Sequence, residues 1–144
     1  MYKIRTTKTG ELPTDEDLFR IISKGIPGTA MPRWELTLSE DERWKVLQYI
    51  KTFAVEFADP EYDPYLAVVE IPPRVESSPE SILKGRKIFE KNKCFECHGL
   101  EGKGDGREGL EDGWGFPVRV RNLTRGSNIK GGKNPEDIVY RFTT

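Results

Sequence analysis

Helices joined through a proline-rich linker are what this sequence predicts, on three observations. Ser39-Glu40-Asp41-Glu42 is a capping box, with the Ser hydroxyl and the Glu carboxylate spaced to satisfy amides at a helix start. Behind it Trp44, Val46, Leu47, Ile50 and Phe53 recur with helical period, an apolar stripe for one buried face. Ser78-Pro79-Glu80 opens a second helix in the favoured order of cap, proline and acid. That helix is expected to run to Asn92, with Gly85 and Phe89 on one face so that another helix can cross close over the glycine. Between the two, residues 55–77 contain Pro60, Pro64, Pro72, Pro73 and two acidic clusters, the composition of a linker. Its short apolar stretch Leu66-Ala67-Val68-Val69 is expected to dock as an extended segment.

Composition narrows the function classes. The chain has 144 residues, 23 Lys+Arg against 24 Asp+Glu, and 35% hydrophobic residues. A net charge of −1 and a pI near 6.0 give no basis for a nucleic-acid or anionic-membrane surface. No apolar run approaches the ~20 residues that a bilayer-spanning helix needs. Two cysteines cannot make a disulfide-dense scaffold. The aliphatic core is thinly supplied, so something besides side chains is expected to fill it.

The one histidine carries the chemistry. It closes Cys94-Phe95-Glu96-Cys97-His98, the Cys-x-x-Cys-His attachment sequence for c-type haem. Two thiols one helical turn apart can add to the two vinyl groups along one edge of a porphyrin. The adjacent imidazole is then carried under the ring to the iron. A redox dithiol of the thioredoxin kind belongs in a βαβ pattern, which the flanking sequence lacks. Structural zinc takes four ligands, and no further Cys or His exists in the chain.

With histidine exhausted, a thioether is the natural second axial ligand, and Met/His ligation raises the reduction potential. Besides Met1, the chain offers Met31. It sits in Gly25-Ile26-Pro27-Gly28-Thr29-Ala30-Met31-Pro32, a punctuated loop rather than a helix face. A core-filling Met normally belongs to a periodic apolar stripe; this one is flanked by small residues and prolines, which let backbone approach a flat ring.

Several segments together resemble the class I c-type cytochromes, especially the bacterial tandem (diheme) kind. They are the helix around Gly85-Arg86-Lys87-Ile88-Phe89, the run Cys94 to Gly106, Asn122-Leu123-Thr124, Pro135-Glu136-Asp137-Ile138, the Met31 loop and the helix ending Tyr49-Ile50-Lys51-Thr52-Phe53. The resemblance implies an all-α fold with helices around one covalently bound haem c per chain. It implies thioether bonds at Cys94 and Cys97, with His98 as proximal and Met31 as distal ligand. It also implies that Tyr49 and Ile50 cross at Gly85.

The order of parts departs from that family, in which the haem motif precedes the ligand methionine. A shift of 120 residues aligns Glu16-Asp17-Leu18-Phe19 with Glu136-Asp137-Ile138-Val139 and Arg5 with Arg125. Residues 1–54 therefore read as the C-terminal half of one cytochrome domain, 55–77 as linker, and 78–144 as the N-terminal half of the next. Extended, the linker reaches roughly 80 Å, which permits three arrangements. The chain can close on itself as a permuted cytochrome, exchange half-domains with other copies as a swapped dimer or polymer, or form part of a longer two-haem protein. In a self-closed chain, 14–24 and 135–144 would compete for one place.

Lesser candidates follow. Arg119, Arg121 and Arg125 alternate on a short extended segment, and Arg121 is the one expected to pair with a haem propionate. Trp34 and Trp114 are candidates for stacking on the ring or donating to a propionate. Gly99 to Gly106 lacks the phosphate-loop order and reads as a turn after the attachment site. The acids Glu101, Asp105, Glu108, Glu111 and Asp112 lack calcium-loop spacing. No nucleophile–base pair can be assembled, so electron transfer between redox partner proteins, not enzymatic catalysis, is the expected role. The alternatives are a haem with an open sixth position, as in a gas sensor or peroxidase-like protein, and a filament built by swapping. By resemblance the chain is expected in the periplasm; no secretory apolar segment follows Met1, which implies a processed or missing N-terminus.

Overall fold

A computed structural model describes residues 4–126 and 129–143. Met1 and Thr144, which the sequence reading touches, lie outside the described residues. The protein is all-α: helices α1 (Asp15–Lys24), α2 (Glu40–Lys51), α3 (Pro79–Lys91), α4 (Phe95–His98) and α5 (Pro135–Thr143) follow in order. Among the described residues, extended pairing is confined to two isolated bridges, Thr7 with Val68 and Glu111 with Pro117. The chain divides into two compact units, Met1–Pro72 with Lys130–Thr144, and Pro73–Ile129.

The first unit is built on α1 and α2. The expected box at Ser39 forms: the Ser39 hydroxyl accepts from the Glu42 amide at 3.3 Å, and the Ser39 amide donates to Glu42 Oε2 at 2.8 Å. A second box, missed in the sequence, starts α1, where Thr14 Oγ1 accepts from the Asp17 amide at 3.2 Å. Asp17 also accepts from the Thr6 amide at 2.8 Å and the Thr6 hydroxyl at 2.9 Å, which ties the N-terminal segment to the helix. Burial of this carboxylate is tolerable because both oxygens have donors, Oδ2 from Thr6 and the Thr14 amide and Oδ1 from Arg20. Leu18, Ile22 and Leu47 form the core, with Phe19, Trp44, Ile50 and Phe57 packed around them. Phe19 and Trp44 stack with centroids 4.2 Å apart. The helical stripe on α2 is therefore split: Leu47 is fully buried, whereas Val46 and Phe53 face outward at 38% and 69% exposure.

Residues 55–69 dock on this unit instead of hanging free. Two 3-10 turns, Val55–Ala58 and Pro64–Ala67, shorten the segment. The Tyr62 hydroxyl accepts from the Leu12 amide at 3.0 Å and donates to Glu11 at 2.6 Å, and the Tyr65 hydroxyl donates to Glu16 at 2.7 Å. Burial and the Glu11 carboxylate push the Tyr62 phenol up from its ordinary value. The apolar stretch supplies the extended contact through Val69 N to Thr6 O at 2.9 Å. Helix α5 also packs in this unit, where Arg20 Nη1 lies 3.0 Å from Asp137 Oδ1. Arg20 links the two similar segments 14–24 and 135–143, contacting Asp17 of the first and Asp137 of the second.

The second unit holds α3 and α4. Ser78 caps α3 through the Ser81 amide at 3.1 Å, with Pro79 at the first helical position. Among the described residues of this unit only Gly99 is buried. A Cβ placed on Gly85 would meet nothing within 4 Å.

Candidate functional site

Cys94 and Cys97 are carried by one short helical turn. The chain leaves α3 through Lys93, a non-glycine residue at φ 56, and re-enters helical geometry at Cys94, which caps α4. The His98 amide donates to the Cys94 carbonyl at 3.0 Å, so both sulfurs and the imidazole belong to the same turn. Both thiols are unpaired and half-buried, as an added porphyrin requires.

The His98 ring is oriented by a main-chain group. Its Nδ1 lies 3.2 Å from the Arg121 carbonyl oxygen. A carbonyl can only accept, so Nδ1 carries the proton and Nε2 keeps its lone pair for a metal. A second partner of this kind fixes the tautomer and aims the ring.

The glycine-rich segment makes that bond reachable. Gly104 N donates to His98 O at 2.8 Å, and Leu123 N donates to Gly102 O at 2.7 Å, so the loop runs between the histidine and residues 120–123. At Gly104, φ is +79 and a Cβ would stand 2.5 Å from the Val120 carbonyl oxygen. A side chain there would push the 120–123 strand away and release the imidazole. The turn expected at 99–106 is thus a spacer that sets the histidine, a role visible in the sequence only as an excess of glycine. Among the described residues, no group of three or more His, Cys, Asp or Glu is placed to hold a metal ion, so the acidic loop has no calcium geometry.

Met31 belongs to the first unit and the Cys94–Cys97–His98 set, with Arg121, to the second. Its loop is held by the Ile26 amide on the Met31 carbonyl at 3.2 Å and the Met31 amide on Thr29 Oγ1 at 3.1 Å. Gly25 at φ 64 is required beneath it, since a Cβ there would lie 2.6 Å from the Met31 carbonyl oxygen. The half-buried Met31 side chain borders two apolar recesses of about 550 and 240 Å³. Trp34 lines the smaller one, while Trp114 is 81% exposed.

The donor set fits a covalent haem: two free thiols on one turn, and an imidazole whose outer nitrogen is engaged. Comparison with known proteins agrees. Residues 82–139 match the family Cytochrome c, and residues 4–50 match the family Cytochrome C oxidase, cbb3-type, subunit III. Two separate segments of the chain thus match cytochrome families, whose domains bind covalently attached haem c, and that is the cofactor of this chain. Among solved structures it is similar to a chain of the Kuenenia stuttgartiensis reducing HAO-like protein complex, with 42% identity and a TM-score of 0.84. That match covers 99% of this chain, which spans 64% of the length of the solved one. No curated protein matches.

Proposed function

We propose that this chain carries single electrons between redox partner proteins, holding one haem c through Cys94, Cys97 and His98. The single observation behind this reading is the hydrogen bond from His98 Nδ1 to the Arg121 carbonyl, which leaves Nε2 poised as an axial ligand. A bound haem c supplies a one-electron Fe(III)/Fe(II) couple. The protein's part is to hold that ring. Cys94 and Cys97 would hold its edge and His98 its iron, the Met31 thioether would ligate the iron of the haem it meets, and the Arg121 guanidinium would pair with a propionate. An iron held by both an imidazole and a thioether would offer no open position to a substrate, and the role would then be transfer rather than catalysis.

The separate matches at residues 4–50 and 82–139 support reading 1–54 and 78–144 as successive half-domains of a tandem cytochrome. Met31 and His98 then belong to successive haems in a longer protein, or meet when halves close on each other or exchange between copies. The similar solved chain comes from a protein complex, which favours a larger redox protein as the partner. No helix among the described residues is long and apolar enough to cross a membrane, and our reading puts the chain in the periplasm, where resemblance to the family implies that thioether attachment takes place.

Optical spectra of the purified holo-protein test this. A thioether-to-Fe(III) charge-transfer band near the red edge, with intact mass showing one haem on the chain, supports the reading. A high-spin spectrum that shifts with carbon monoxide replaces it with an open-site haem protein.

A further inference from the structure

Charge is spread unevenly along the chain. No lysine or arginine stands between Thr52 and Pro73, a stretch that contains Glu56, Asp59, Glu61, Asp63 and Glu70. Where this stretch docks on the first unit, it forms one wall of a groove of about 590 Å³. Leu12, Ala54 and Tyr62 line the groove together with Glu11, Glu56 and Asp59. Apolar side chains stand exposed beside it, Val55 at 83% and Phe53 at 69%. Lys51, the cation just before the stretch, is held by Asp15 at 2.7 Å. Lys8 meets the stretch at its far end, where its amide donates to the Ala67 carbonyl at 3.0 Å. Glu56 and Glu61 are exposed and have no ion pair among the described residues.

Helix α3 carries the opposite pattern. Lys84, Lys87 and Lys91 follow each other at three and four residues, which puts them on one helical face. Leu83 lies one turn from Lys87 and Ile88 one turn from Lys84, and both are more than half exposed. Arg86 is taken by Glu90 at 2.9 Å and Lys93 by Glu96 at 3.6 Å, whereas the three lysines have no ion pair among the described residues. Glu80, one turn before Lys84, is the carboxylate nearest to them along that face.

We propose that the lysine face of α3 in one copy docks on the acidic groove of a second copy. Opposite charges meet at the rim while Leu83 and Ile88 come against Val55 and Phe53, so apolar burial accompanies the ion pairs. The occupant is another copy because both halves of the match are present on this chain. A net charge of −1 also leaves little long-range repulsion between copies. The contact joins two different surfaces, so each bound copy still offers a free one and the assembly grows by repeating the same step. It involves no exchange of half-domains and does not depend on which haem Met31 serves.

Sedimentation velocity of the full-length holo-protein at rising concentration tests this. Low salt should give species larger than one chain that grow with concentration. About 1 M salt, where charges are screened within ~3 Å, should return most of them to single chains. Reversing the helix face (Lys84→Glu, Lys87→Glu and Lys91→Glu) or the groove (Glu56→Lys and Glu61→Lys) should weaken association more than about tenfold. Reversing both in one chain should restore it. All five side chains are exposed, and an unaltered haem spectrum checks that each variant is folded. Carbodiimide coupling in a mixture of unlabelled and isotope-labelled copies should join lysines of α3 to Glu56 or Glu61 across the two labels. A chain that stays single at every concentration overturns the proposal. So does association indifferent to the reversals, a doubly reversed chain that stays apart, or coupling confined to single copies.

Discussion

The unit around α1 and α2 buries Leu47 completely and Leu18 and Ile22 nearly so, at 5% and 3% exposure. The unit around α3 and α4 buries no large side chain among its described residues, and leaves Ile82, Leu83 and Ile88 more than half exposed. The first has what a small domain needs: an aliphatic core, each member worth about 1.5–3 kcal/mol on burial, and a saturated carboxylate at Asp17. The second is held by loop hydrogen bonds around His98 and by glycines that let strands of chain touch. Segments that cannot close a core draw on a cofactor or another chain. The difference gives an expectation for folding: a haem attached at Cys94 and Cys97 would add more to the α3–α4 unit than to the unit whose core is already formed by Leu18, Ile22 and Leu47.

The largest expected break in this comparison comes from removing the attachment thiols. Cys94→Ala with Cys97→Ala should collapse hydrogen-exchange protection of amides in residues 79–126 while leaving α1 and α2 protected; equal protection in both units would erase the contrast. Next is Leu47→Ala. Truncating a fully buried leucine should cost the first unit about 2–5 kcal/mol in urea unfolding without loosening the haem attachment. Asp17→Ala should cost about 1–3 kcal/mol, since it strands the amides of Thr6 and Thr14; a neutral outcome would show that water replaces the carboxylate.

The smallest effect is a pH step at the docked 55–69 segment. The hydrogen bond to Glu16 holds the Tyr65 phenol up at about 12, and the same bond keeps the Glu16 carboxyl below its ordinary value. Stability from the raised phenol is fully present below the ordinary tyrosine value of ~10 and is lost as pH climbs to about 12. Stability from Glu16 is present above the ordinary carboxyl range and disappears in acid. Tyr65→Phe should flatten the alkaline step in a stability–pH curve. An unchanged step would assign it to another group.

Much of the local structure was legible. The Ser39 and Ser78 caps, the helix behind each and the haem-attachment turn all depend on residues within four positions of each other. The Thr14–Asp17 box has the same short-range signature, with Asp in place of Glu at the third position, and could have been read. Other features had no such signal. Arg121 orients His98 through its carbonyl, a group every residue carries, so no side-chain pattern announces that contact. Val46 and Phe53 fit an apolar period, yet Val46 only borders the smaller recess beside Met31 and Phe53 falls past the end of α2.

By itself the amino-acid order determined the caps, the helical segments, the Cys94–Cys97–His98 turn and the repeated Asp17/Asp137 motif, since short-range hydrogen bonding and covalent chemistry need nothing distant. Tertiary structure alone decided that α5 joins the Met31 unit, that Tyr62 and Tyr65 pin the linker, and that Lys130 and Arg141 reach the same recess as Met31. Those outcomes turn on contacts between residues 50 to more than 100 positions apart. Their strength depends on which surfaces are left to bury, a property of the packed chain rather than of any stretch of it.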